Sequence, residues 1–491
     1  MFRRALTVNF SSAVARIPKA WWLVLAGLGV VAAVLMLAAL AVRFLVDVDG
    51  YKPRVEAAAS RALGMEVTIE GRLRAGLVGG LHVALENVRI RNRGVELAFV
   101  EEVDLAIDIF PLLRQRLHYS RITLDRARIT IERGRDGRYN FQKPPGVTEA
   151  FQALDLPRLS FPELTFVYAD RLSGYGFESA NCKGELANLR HPGGAPFLMR
   201  LSVTGQFACG ELRGKETTVS DLRFPVAATD GVFDFKPVTM RVFGGQGSGS
   251  LRLDRSAEVP AVNLTYSLPK FRIEDAFRTL PPERSVSGLM DFSTTLAMRG
   301  RTRRELLRSA SGDMALSGQN LTLAGVDLDR QYSKYEASQN FSLFDVAGLV
   351  LAGPAGLVVT KGYDFSSVAA QSGGSTRIRT VHSRWTVDKG VARATDVAMT
   401  TDMNRLALRG GLDFVDGEFD EVFVALVDAN GCAKVRQRIG GPFGKPVVGK
   451  VSYITALAGP VQSLLDRAAN LFSKTGVACE VFYRGSVAPP K

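Results

Sequence analysis

The sequence predicts a mainly β protein with few helices: a single N-terminal transmembrane helix, then a long curved, bulged, mostly antiparallel sheet with short capping helices. Three observations carry this. Val103, Leu105, Ile107 and Ile109 are separated by Asp104, Ala106 and Asp108, and such period-two alternation turns one face of a strand toward a core and the other toward water. The chain has 48 Gly among 491 residues, more than average usage gives, which suits tight turns between many strands. Trp21 to Val42 is an unbroken apolar run.

Taken in order, residues 1–20 form a basic tail with Arg3, Arg4, Arg16 and Lys19 and no acid. The apolar run in segment 21–46 follows. At about 1.5 Å per helical residue it covers a hydrocarbon core of roughly 30 Å. Trp21 and Trp22 sit where an interfacial aromatic belt lies, and the basic tail stays on the cytoplasmic side, so the body is exported. Ala39-Leu40-Ala41 resembles a signal-peptidase site, but the run is longer than a signal h-region, which favours an uncleaved anchor. Beyond it, Asp49 can cap a short helix starting near Pro53, and Gly64 can end it.

Strands follow through residues 47–143. Val67, Ile69 and Leu73 point one way, while the apolar phase slips at Asn87 and again at Arg126, where bulges are expected. Pro144, Pro145, Pro157 and Pro162 mark a boundary, after which come a middle β region, 144–310, and a further β region, 311–455. Helical segments are expected at Pro269–Leu280 and Thr302–Ser309. In residues 456–491 an amphipathic helix with Val461, Leu464, Leu465, Ala468 and Phe472 on one face starts at Pro460 and ends at Gly476, before a basic tail. Cys182, Cys209, Cys432 and Cys479 never form a CxxC pair; in an exported body they suit two disulfides, Cys182 with Cys209 and Cys432 with Cys479, each within one candidate region, against the alternative of buried free thiols.

The formal charge of +13 gathers at the ends: from Asn430 onward nine Lys and Arg face only Asp466 and Glu480. No basic patch interleaves with aromatics, which argues against nucleic acid as a partner. Nor does a catalytic constellation assemble. His82, His118, His191 and His382 have neither HExxH nor triad spacing and read as lone exposed residues. The glycines of Gly244–Gly249 lie between β-type runs, and Gly441-Pro-Phe-Gly-Lys-Pro lacks the Ser or Thr of a phosphate loop. The chain is therefore expected to be non-enzymatic, with no cofactor and no metal.

The stretch from Val46 to Phe141 resembles the N-terminal region of the AsmA family, through Asp47-Val-Asp-Gly-Tyr-Lys-Pro, Gly71-Arg-Leu, Phe110-Pro-Leu-Leu and Asp136-Gly-Arg-Tyr-Asn-Phe in that order. Gly318-Gln-Asn-Leu-Thr-Leu, Asp396-Val-Ala-Met, Asn404-Arg-Leu-Ala-Leu-Arg-Gly and Gly431-Cys432 are similar to its C-terminal region. The resemblance implies a protein of the inner membrane of a double-membraned bacterium, with its body in the periplasm. It implies phospholipid or another acyl lipid as ligand, outer-membrane or periplasmic proteins as further partners, and a part in phospholipid transport and outer-membrane homeostasis. Alternation and bulges suit this, because they curl a one-sided sheet into an apolar groove. Its expected lining is Val67, Ile69, Leu73, Val103, Leu105, Ile107, Ile109, Ile122, Leu124, Ile129 and Ile131. A scaffold or assembly factor that carries no lipid is the second reading, and a closed core with a polar surface would favour it.

Overall fold

The structure, a computed structural model, describes residues 50, 52–63, 65–76, 81–108, 111, 118–142, 153–194, 197–215, 217–277, 286–325, 327–335, 374–450, 452–453 and 481–490. These are mainly β, as expected, and fall into two compact units. The first holds the described residues up to Val242 together with Gly247–Val262; the second holds Phe243–Gln246 and those from Asn263 onward.

The first unit opens with helix α1, Lys52–Leu63. Pro53 suits its first turn and Ala57, Ala58 and Ala59 are strong helix formers. Val55 and Ala59, four residues apart, are buried. The next strand, β1 (Glu66–Ile69), leaves one edge open, and helix side chains close it: Val67 N donates to Ser60 Oγ at 2.9 Å and Ile69 N to Glu56 Oε1 at 2.6 Å. A capping helix thus supplies acceptors that a missing strand would have supplied.

The strands that follow are β2 (Leu73–Gly76), β3 (Leu81–Asn92), β4 (Val95–Ile107), β5 (Tyr119–Arg133), β6 (Leu154–Asp170), β7 (Tyr175–His191), β8 (Ser202–Gly214), β9 (Thr218–Thr229), β10 (Val232–Val242) and β11 (Gly245–Asp254). Both β1 and β2 pair with β3, divided at Gly71, where any Cβ would strike Glu86. From β3 each strand pairs antiparallel with its successor as far as β10, except that β5 and β6 run parallel. The Pro-rich stretch joins two paired strands of one unit; the division between units lies near residues 243–262.

The phase slips are the expected bulges only in part. On β3 the buried residues are Leu81, Val83 and Leu85, then Val88, Ile90 and Asn92. At the slip Asn87 has φ 54°, and Arg126 on β5 has φ 45°. In the β3–β4 and β4–β5 ladders the register is unchanged across both: Glu86 faces Glu102 and Val88 faces Val100, while Glu102 faces Asp125 and Val100 faces Ala127. A bulge inserts a residue and shifts the register. In these ladders a left-handed residue instead puts two successive side chains on the polar side of the strand while the register holds. Toward β1 and β2, by contrast, β3 does shift by one residue across Asn87, Ile69 facing Val88 but Leu73 facing Leu85. Within the β3–β4 and β4–β5 ladders register shifts lie between Ile90 and Arg91 and between Ala106 and Ile107. The slips line up from strand to strand: Asn181 (φ 55°) on β7 and Asp221 (φ 51°) on β9 flank Gly210 of β8 in the same way. Asn and Asp are the non-glycine residues that best tolerate this conformation. Arg126 is not, but it is held by ion pairs to Glu101 and, at 3.1 Å, to Asp125.

The second unit begins with the bulk of β12 (Ala261–Arg272), one helical turn α2 (Ile273–Ala276), β13 (Val286–Ser287) and β14 (Leu289–Arg299). Of the helix expected over Pro269–Leu280, residues 269–272 are strand and Ile273–Ala276 is one helical turn, while residues 278–280 lie outside the described residues. Proline's fixed φ suits extended backbone as well as a first helical turn, and Lys270 is left-handed, which no helix permits. Helix α3 (Arg303–Arg308) is where it was expected: Thr302 Oγ1 accepts from Glu305 N at 3.2 Å, and Glu305 Oε2 accepts from Arg301 N at 2.8 Å. Next come β15 (Ser311–Ala324), helix α4 (Leu328–Tyr335), β16 (Ser375–Asp388), β17 (Val391–Thr400), β18 (Arg405–Asp413), β19 (Glu418–Val427), β20 (Ala433–Pro442), β21 (Val447–Val448) and β22 (Ser452–Tyr453). Strands β14 to β20 pair antiparallel with their successors. The core lies around Trp385, Leu406, Val424 and Ile378, none of them exposed.

Residues 481–490 lie across the other side of β17–β19, over a row of alanines in register: Ala398 faces Ala407, which faces Ala425. Phe482, Tyr483 and Val487 fill the room these small side chains leave. Arg405, buried, donates from Nη1 to Val487 O (3.1 Å) and from Nη2 to Asp428 O (2.5 Å). Asp396 accepts from Tyr483 Oη (2.5 Å) and from Ser486 Oγ (2.7 Å). Burial alone would push the Asp396 carboxyl up, but these hydrogen bonds and the neighbouring His382 hold it below its ordinary range. A carboxyl depressed in the folded state adds stability at higher pH and loses it as pH falls through its folded value. Acidification through and below the usual carboxylate range should therefore loosen residues 481–490, seen as faster amide exchange there with β16 unchanged.

Among the described residues no helix is long and apolar enough to cross a membrane. The expected anchor, Trp21–Val42, and the helix expected from Pro460 lie outside the described residues.

Candidate functional site

Ten of the eleven side chains expected to line a groove are described, and the structure buries all of them. Leu105, Ile122 and Ile131 have no exposure, and Ile129 has the most at 8 %. Ile109 is outside the described residues. The apolar side of β1–β5 is thus a closed interior in the first unit. The other side of these strands carries ion pairs, such as Arg74–Glu86 at 2.8 Å and Arg89–Glu96 at 2.6 Å.

From β7 onward the apolar side opens. Phe207, Leu212, Val219, Leu222, Phe224 and Met240 are only partly buried. Register puts them together: Gly184 faces Phe207, which faces Phe224, and Leu212 faces Val219. The rings of Phe207 and Phe224 stack with centroids 5.4 Å apart, and Phe235 meets Phe224 edge-on at 6.0 Å. Gly184 makes this possible, since a Cβ there would stand 2.6 Å from the Phe207 ring. The reverse side is polar and internally neutralised, by Arg158–Glu185 at 3.0 Å and Arg252–Asp234 at 2.7 Å among others. The second unit has a similar partly buried apolar side on β12, β14 and β15, with Leu264, Phe292, Leu296, Met298 and Met314. Such a surface can hold a hydrocarbon ligand by removing apolar area from water. It offers no acid, base or nucleophile.

Sequence reasoning missed these residues because it looked where alternation was cleanest. Clean alternation marks strands whose apolar side is fully covered. The available signal was a glycine inside a strand run that leaves room for an aromatic ring, as Gly184 does for Phe207.

The histidines are not lone exposed residues. His82 lies 3.3 Å from Asp104 and His118 2.8 Å from Asp108; His191 is buried and accepts at Nδ1 from Gly193 N. His382, Asp396 and Ser486 have the residue types of a hydrolase triad, but Ser486 Oγ (2.6 Å) and Asp396 Oδ2 (3.4 Å) both approach the same nitrogen, Nδ1. A triad needs nucleophile and carboxylate at opposite nitrogens of the ring. The trio is a tie that holds the C-terminal segment. Among the described residues no group of His, Cys, Asp and Glu could hold a metal ion.

Cys182 and Cys209, directly opposed on β7 and β8, form a disulfide. Cys432 is also disulfide-bonded, and Cys479 lies outside the described residues.

No curated protein matches the sequence. The AsmA family model matches residues 22–144 and 204–397. The first range covers the closed β1–β5 interior, and the second runs from the open apolar side of β8 to β17. Together they take in more than half of the chain, and the protein belongs to the AsmA family.

Proposed function

We propose that this protein is a membrane-anchored, periplasmic lipid-handling protein of the AsmA type, non-enzymatic, which binds acyl chains on its partly exposed apolar strand faces and supports phospholipid transport and outer-membrane homeostasis. The observation that carries the proposal is the contrast between β1–β5, whose apolar side is sealed, and β8–β10, whose apolar side keeps Phe207, Leu212, Leu222 and Phe224 partly open to solvent. Soluble monomers rarely leave such apolar area contiguous and uncovered without a ligand or partner for it. An acyl chain moving over it meets equivalent hydrocarbon contacts at each step, so no catalytic group is needed. The anchor, with its basic cytoplasmic tail, holds the body at the inner membrane.

A photoreactive amino acid placed in the full chain at Phe224, in cells, should capture phospholipid, identified by mass spectrometry. The same probe at the adjacent, outward Arg223 should not. Absence of lipid adducts at both positions would leave the scaffold reading, in which exposed Lys434 and Arg438 on β20 meet an acidic outer-membrane or periplasmic protein.

A further inference from the structure

We propose that Tyr266 is the recognition point for an ester carbonyl, so that the second unit takes an ester-linked acyl lipid with its carbonyl seated on this phenol. The inference rests on the lipid-handling reading and narrows it to a ligand class. On β12 the protected side carries Leu264, Tyr266 and Leu268, while Asn263, Thr265 and Ser267 are exposed. The paired strand β14 presents Met290, Phe292, Thr294, Leu296 and Met298 on its own protected side. The phenol oxygen of Tyr266 is sealed from solvent and has no hydrogen-bond partner. A buried hydroxyl left in this state costs free energy that phenylalanine, of the same shape, would not.

The surroundings do not relieve it. Leu, Phe and Met side chains have no strong acceptor, and Thr294, whose hydroxyl donates to Asp313 O at 3.1 Å, is no partner of the phenol either. A lone water would need two or more polar partners to stay, which this side lacks. Burial pushes the phenol's acidity up to about 12, so it keeps its proton at any cellular pH and acts as a donor. The missing partner must therefore be an acceptor that arrives on an apolar body. A carboxylate would meet that description only by bringing an uncompensated charge to a side with no cation on either strand. A neutral ester carries the acceptor without the charge, and each acyl chain of a glycerophospholipid begins with one.

The test uses the purified full chain in detergent and two probes, dioleoyl phosphatidylglycerol and its di-O-oleyl ether analogue, which lacks both carbonyls. Wild type should bind the ester lipid about tenfold more tightly, the scale of one well-made buried hydrogen bond. Tyr266→Phe should bind the two lipids equally while unfolding at the same or a higher denaturant concentration, since it loses an unsatisfied group. Phe292→Asp should weaken both lipids together. Equal affinities in wild type, an ester preference kept by Tyr266→Phe, or a loss of stability in that variant would overturn the role of Tyr266 and leave the lipid-handling reading standing. Failure of wild type to bind either probe would overturn both.

Discussion

Replacing Trp385 by alanine should cost the second unit about 4 kcal/mol, the usual toll for removing a fully buried tryptophan. Trp385 has no exposure, faces Met314 across the β15–β16 ladder, and gives its indole N–H to Ser383 Oγ at 2.8 Å. Alanine removes the ring and leaves a cavity, and it also removes the donor from a hydroxyl that is itself fully buried. Trp385→Phe should cost less than half as much, because most of the volume stays. The measurement is amide exchange on β15–β17, where opening should become easier by the same free energy. Protection in the first unit should not change. An alanine variant with native exchange on β16 would mean that the ring contributes nothing to the core.

The second large effect concerns the first unit. Cys182 and Cys209 close a loop with a sequence separation of 27, and on the chain-entropy account opening it costs about 3.5 kcal/mol. Cys182→Ala with Cys209→Ala should lower the unfolding free energy of the first unit by that amount and its urea midpoint by that amount divided by the m-value. Dithiothreitol should do the same to wild type and nothing further to the double variant. The loss should centre on β7–β9, next to Phe207 and Phe224, so lipid capture at Phe224 should fall as well. A midpoint unmoved by both treatments would show that the hairpin holds without its bridge.

How much of this the residues announced can be traced element by element. Period two fixed β3 to β5 and their buried side, because strands with one covered face need that pattern. The helix after Pro53 and the capped turn at Thr302 were readable from local chemistry alone. The slip positions Asn87 and Arg126 are legible, but that the register holds at Arg126 and toward β4 is not, since alternation reports only that the phase changes, not whether the register changes with it. Pro269 misled because one residue type suits two backbones. The apolar side that remains open escaped altogether. Whether an apolar face is covered depends on what packs over it, which is a tertiary fact invisible in a strand's own pattern. The same holds for Tyr266, whose missing partner can be noticed only when its neighbours are known.

Nearest-neighbour pairing in each unit has a further consequence. Strands β6 to β10, and again β14 to β20, contact mainly the strands just before and after them in sequence. Energetically each run behaves as a linear array, in which the free energy is a sum of rung and junction terms. A hairpin inserted between two existing rungs leaves every other junction intact and advances the ladder by two interstrand spacings, about 9.6 Å. Each run can then lengthen or shorten in evolution by duplication or loss of single hairpins, without repacking the rungs that remain.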